Sequence, residues 1–199
     1  MTSTQNSPFQ TYLEGLYVAL RDMSEGDVAN YIPELAKAAP ESFGISFATI
    51  DGEVYSVGDS GTEFTIQSVS KPFAYGGVLS RLGAEAVLGK VGVEPTGEAF
   101  NSIVLDQQNN RPFNPMVNAG AIAVAAMAEG RSQADRVEGM RRLFSRFAGR
   151  ELTIDEAVYA SETETGHRNR AIAYLMLNTG MIDRPPEEVL DLYFRQCSL

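Results

Sequence analysis

Phe64-Thr65-Ile66-Gln67-Ser68-Val69-Ser70-Lys71-Pro72 is the stretch on which the fold turns, and a largely apolar run continues from it to Leu82. Proline lacks an N–H and is tolerated only in the first turn of a helix, so Pro72 confines the helix start to within about one turn before it. Ser68 is therefore expected at or beside a helix N-terminus. Lys71 follows three residues later, which on a helix places the two side chains on one face, about a turn apart.

Upstream, Phe43 to Ile50 reads as a strand and Glu53 to Val57 as its return, with Asp51-Gly52 as a two-residue hairpin turn. Before the hairpin, Phe9, Tyr12, Leu13, Leu16, Tyr17 and Leu20 recur at helical spacing and give an amphipathic helix. The segment from Ala29 to Lys37 fits a short helix that begins near Pro33. Downstream the pattern is helical throughout. Ala119 to Ala128 has almost no polar face and is expected to be buried, while Val137, Met140, Phe144 and Phe147 mark an amphipathic helix ended by Gly149. A further helix from Asn169 to Leu177 stops at Gly180, and a last one opens at Pro185-Pro186 with Asp183 as its cap. Two strands alone make a marginal sheet, so either the sheet is completed by something absent from this sequence or the fold is more helical than the hairpin suggests.

The 199 residues carry a formal charge of −10, with no Lys/Arg block, which excludes nucleic acid and anionic membrane as natural partners. The apolar stretch Phe9 to Leu20 is broken by Gln10, Glu14 and Gly15, which argues against a signal-peptide core or a membrane span and favours a cytoplasmic protein. Cys197 is the single cysteine and His167 the single histidine, so an internal disulfide and the usual His/Cys metal cluster are excluded, and neither metal nor cofactor is expected. A Ser-His-Asp triad would depend on His167 alone, which reads as a surface residue.

That leaves the Ser68/Lys71 pair as the first candidate for chemistry. A lysine can take a serine's proton at neutral pH once burial or a neighbouring cation lowers its pKa, typically to about 7 to 8. A helix start adds free N–H groups and a dipole that favour the oxyanion formed when serine attacks a carbonyl. On the bare pattern, Ser-x-x-Lys also fits a cap followed by a solvated lysine. The hairpin upstream and the apolar helix downstream favour serine acyl transfer.

Five ordered blocks extend this reading: Asn30-Tyr31-Ile32-Pro33-Glu34-Leu35; Phe64 to Lys71; Asn114-Pro115-Met116-Val117-Asn118-Ala119-Gly120-Ala121; Ser161-Glu162 with Arg168-Asn169-Arg170-Ala171; and Asp191-Leu192-Tyr193-Phe194 through Cys197-Ser198. Together they resemble the serine-dependent glutaminase family. The resemblance implies an α/β (α+β) fold of the β-lactamase/transpeptidase type, a helical domain beside a mainly antiparallel sheet flanked by helices. Residues 1–82, with the N-terminal helix, the hairpin and the Ser-x-x-Lys helix, would belong to the α/β domain, and residues 83–199 would form the helical domain.

By the same resemblance, Ser68 attacks the side-chain amide of L-glutamine, Lys71 accepts the proton and passes it to departing ammonia, and water hydrolyses the γ-glutamyl ester. Tyr193 would share in this proton traffic, with core packing as its plain alternative. Tyr31, Asn118, Glu162 and Asn169 would hold the substrate's amino-acid head, with Gln67 as a further contact. Glu162 suits the ammonium, whereas Asn118, Asn169 and Tyr31 suit the carboxylate. Caps remain open as alternatives: Asn118 stands where an N-cap for the alanine-rich helix would stand, and Ser161 to Glu164 has capping-box spacing.

Chains of this family continue past the Cys-Ser block, through a second site tyrosine and a Lys-Ser-Gly-type strand. The resemblance thus implies an incomplete sheet here and a missing oxyanion donor, worth about 2.7 to 4 kcal/mol, or roughly 100- to 1,000-fold in rate. A weakly active or inactive polypeptide that associates with other chains, as a homo-oligomer, is the expectation. The competing readings are a β-lactamase or penicillin-binding enzyme, which would need Ser-Asp-Asn and Lys-Thr-Gly motifs not found in this sequence, and a non-catalytic fragment that pairs with full-length glutaminase.

Overall fold

The computed structural model describes residues 7–106 and 108–199, which fall into two units, one ending at Phe64 and one running from Thr65 to Leu199. In the first unit, helix α1 (Pro8–Leu20) opens with Pro8 in its first turn, and the Ser7 hydroxyl accepts the Phe9 N–H. A single 3-10 turn, Leu35–Lys37, stands where a short helix near Pro33 is predicted.

Strands β1 (Gly44–Ala48) and β2 (Val54–Gly58) pair antiparallel, with Ile45 opposite Val57 and Phe47 opposite Tyr55. The turn between them differs from expectation. Thr49 donates to the Glu53 carbonyl, Gly52 donates to the Thr49 carbonyl, and Gly52 has φ of 92°, so the connection is a three-residue loop with a left-handed glycine. A two-residue Asp51-Gly52 turn would put Ile50 opposite Glu53; Thr49 faces Glu53 instead, and the left-handed Gly52 accommodates the extra residue. α1 lies on the hairpin through aromatic contacts, Phe9 against Phe47 and Tyr55, and Tyr17 stacked on Phe43 with centroids 5.6 Å apart. Gly58, at φ of 66°, allows this approach, since a Cβ there would collide with the Tyr17 ring and the Phe43 carbonyl.

The second unit is helical: α2 (Ser70–Leu82), α3 (Ala84–Leu88), α4 (Asn118–Ala126), α5 (Gln133–Ala148), α6 (Glu156–Thr165), α7 (His167–Asn178) and α8 (Pro186–Cys197). As its composition predicts, α4 is buried over its whole length, and α2, α7 and α8 pack around it. α5 carries a full capping box, with Ser132 and Asp135 bonded reciprocally, and ends at left-handed Gly149. Asp183 makes no cap for α8. Pro185 takes the N-cap position and Pro186 the first helical one, where a missing N–H costs nothing. No helix among the described residues is long and apolar enough to cross a membrane.

Candidate active site

Ser68 is exposed within a 3-10 turn, Gln67–Val69, that leads directly into α2. The residue before it, Gln67, has φ of 47°, a left-handed conformation that a non-glycine residue adopts at a cost of about 1 to 3 kcal/mol. Such strain at the turn presents the next side chain outward, and the Gln67 amide is tied to the Thr65 hydroxyl at 3.1 Å.

Lys71 lies in the first turn of α2 and is only 2% exposed. Burial brings its amine down to about 8, against the opposing pull of Cys197 and Glu162. Its Nζ donates to the Met116 carbonyl at 2.9 Å and to Asn118 Oδ1 at 2.8 Å, and the Phe100 ring centroid lies 5.6 Å away. The Met116 carbonyl is brought there by a close approach of loop and helix. At Gly120 a Cβ would collide with Asn114 O and Pro115, so only glycine lets α4 seat this loop over the lysine. The loop in turn is shaped by Asn114, whose Oδ1 accepts from the N–H groups of Met116 and Val117.

Asn118 does not cap α4. Val117 occupies the N-cap position, and the Asn118 side chain instead joins Lys71 to Asn169, donating to Asn169 Oδ1 at 3.0 Å. Glu162 is no first-turn acid either: α6 begins six residues earlier behind Asp155, whose carboxylate accepts from Ala157 and Val158. Glu162 is 6% exposed, and its Oε2 has no hydrogen-bond partner. Burial pushes its carboxyl up to about 8, with Lys71 pulling the other way. The buried amine and the buried carboxyl each favour the other's charged form.

Tyr193 is 2% exposed on α8, beside Cys197 one turn further on. Burial raises the Cys197 thiol above its ordinary range, and Glu162 raises it further, while Lys71 and hydrogen bonds from Tyr193 and Ser70 act against them. The sole cysteine is thereby held as a thiol. The second unit thus draws Lys71, Asn118, Glu162 and Asn169 into one electrostatic and hydrogen-bonded group, with Ser68 at its helix start and Tyr193 near it. Tyr31 belongs to the first unit, where it is 54% exposed. Sequence reasoning overlooked the Met116 carbonyl, Phe100, Ser70 and Gln196. A carbonyl carries no side-chain signal, but Ser70 could have been noticed as a polar residue next to Lys71 on the helix's inward face.

The family model described as Glutaminase matches residues 26–199. The glutaminase of Trichormus variabilis is 55% identical over 97% of this chain, that of Microcystis aeruginosa 52% over 96%. This chain spans about 58% and 57% of those two proteins. Among solved structures, Mglu in its native form superposes with a TM-score of 0.90 at 40% identity over 96% of this chain and 47% of its own. A probable glutaminase of Bacillus subtilis gives 0.84 at 35% over 95% and 59%. A serine at a strained helix start, a buried lysine one turn on, and a match that runs through both units place this chain in the glutaminase family.

Proposed function

We propose that the chain acts on L-glutamine, hydrolysing its side-chain amide to L-glutamate and ammonia through a γ-glutamyl ester on Ser68. The observation that carries this reading is Lys71: buried, fixed by two hydrogen bonds and held to about 8, on the helix that follows the turn bearing an exposed Ser68. In its neutral form the amine accepts the Ser68 proton as Oγ bonds to the amide carbon. The positive end of the α2 dipole favours the resulting oxyanion. Collapse breaks the C–N bond, and the proton on Lys71 leaves with the nitrogen as ammonia. Water then attacks the ester and gives a proton to Lys71, which returns it to the Ser68 oxygen as the C–O ester bond breaks and glutamate leaves.

Glu162 Oε2, buried without a hydrogen-bond partner, supplies the acceptor that an α-ammonium requires, and Asn118, Asn169, Tyr31 and Gln67 are assigned to the rest of the amino-acid head. Tyr193 is assigned to proton transfer near Ser68. A similar structure, Mglu in its L-glutamate binding form, supports an amino-acid ligand for this chain as well. Residues 1–82 are assigned to the α/β domain and 83–199 to the helical domain of the longer protein. A cytoplasmic site of action and a homo-oligomeric assembly complete the proposal, and fractionation and light scattering test them.

The decisive experiment treats the purified chain with a diazo-ketone analogue of glutamine and maps the adduct by mass spectrometry. A single adduct on Ser68, blocked by excess L-glutamine, is the expected result. An adduct elsewhere, or turnover of a cephalosporin with none of glutamine, overturns the reading.

A further inference from the structure

Two buried polar residues near the site have no part in the mechanism above. Ser70 is wholly buried between the exposed nucleophile and Lys71 in sequence, and Gln196, 2% exposed, donates from Nε2 to Ser70 Oγ at 3.0 Å. Burying an amide and a hydroxyl costs free energy unless they bond one another, and apolar residues of similar volume would fill the same space without that requirement. The pair also lies at a junction. Tyr193, Gln196 and Cys197 share one face of the last turn of α8, and the Ser70 hydroxyl faces Cys197 as well as Gln196. Just beyond that turn, the Leu199 carbonyl accepts the Ile66 N–H at 2.9 Å, and the Ser198 carbonyl accepts the Asp155 N–H at 2.8 Å. The end of α8 thus holds the strained turn before Ser68 and the start of α6, which carries Glu162.

We infer that Ser70 and Gln196 are a positioning pair: their hydrogen bond fixes the first turn of α2 against the last turn of α8, and so sets Ser68 and Lys71 relative to Tyr193. Neither residue touches the substrate. Both act through the residues beside them, since Ser70 immediately precedes the lysine and Gln196 stands one turn from the tyrosine. A nucleophile and base that must meet within a few tenths of an ångström are sensitive to such a clamp, and a misplacement of about 1 Å can cost on the order of 100-fold in rate.

This inference rests on the acyl-transfer reading of Ser68, and the test separates the two. The rate of Ser68 labelling by the diazo-ketone analogue of glutamine is measured against concentration, together with Tm, for the wild-type chain, Ser70→Ala, Gln196→Leu and the double variant. Each single substitution leaves its buried partner unpaired, so Tm falls and the limiting labelling rate drops about 10- to 100-fold with the half-saturating concentration unchanged. In the double variant both polar groups are gone and packing is kept, so Tm recovers while labelling stays slow. If labelling recovers together with Tm, or the single variants label at the wild-type rate, the pair is structural only and the inference is overturned. Absence of any Ser68 adduct in the wild-type chain overturns the acyl-transfer reading itself, and the positioning role with it.

Discussion

The two units of this chain handle polar groups in opposite ways. In the unit ending at Phe64, large apolar side chains stand partly in solvent, among them Phe9, Tyr12, Phe47 and Val54, and its fully buried core is small, built on Leu13, Ile32 and Tyr55. In the unit from Thr65 to Leu199 the core is dense and continuous through α4, yet it takes in Ser70, Lys71, Asn118, Glu162, Gln196 and Ser198. Those six are all the buried polar side chains among the described residues. Burying charge is costly, and a tightly packed unit with stability to spare can bear it where a two-stranded hairpin cannot. The contrast teaches that an amine and a carboxyl are held away from water only where packing is dense enough to bear their burial.

The largest effect should come from the nucleophile. Ser68→Ala should remove adduct formation and any ammonia release, a loss of about 10⁴-fold or more. Ammonia release that survives the change would shift the chemistry away from the second unit's helix start and break the contrast. Next, Lys71→Met should slow Ser68 labelling about 10²- to 10⁴-fold, as expected for loss of a general base. In the wild-type chain the labelling rate should rise as pH passes through about 8, since the base form appears as the amine loses its proton.

Packing density can be compared directly. Ile122→Ala, in the wholly buried α4, should lower unfolding stability by about 2 to 5 kcal/mol in denaturant titrations. Glu162→Gln offers a finer probe. Without the carboxylate the amino-acid head should bind about 10- to 150-fold more weakly in calorimetry with L-glutamate, matching a lost charge-assisted hydrogen bond. The acid limb of Ser68 labelling should also move to lower pH, because Glu162 helps to hold the Lys71 amine up against burial and that help is lost. An acid limb that stays in place would show that the two groups do not titrate together. The smallest change is expected in the first unit, where Phe47→Ala should cost about 1 kcal/mol, the worth of a half-exposed aromatic contact. Equal losses at Phe47 and Ile122 would erase the difference between the units.

Most of the helices were legible because their signals are local. The apolar spacing of α1, the featureless alanine run of α4 and the glycine after α5 each depend on residues within a turn or two of one another. The hairpin was legible too, though Asp51-Gly52 pointed to a turn one residue too short, since a left-handed glycine serves either geometry. Asp183 misled in the same way: a capping residue near Pro185-Pro186 is plausible by spacing, but the proline itself opens the helix.

What the sequence alone determined is a helix that starts within a turn before Pro72, with Ser68 beside that start and Lys71 three residues on, because proline chemistry and helical period act over a few residues. What only the tertiary structure decided is the state of those groups. The Met116 carbonyl and Asn118 on the lysine and the Gln196–Ser70 bond join residues 45 to 126 positions apart, and the burial that leaves Glu162 Oε2 without a partner is a property of the packed core, not of any segment. The lysine's residue type made it a candidate; its removal from water brought its amine down to about 8.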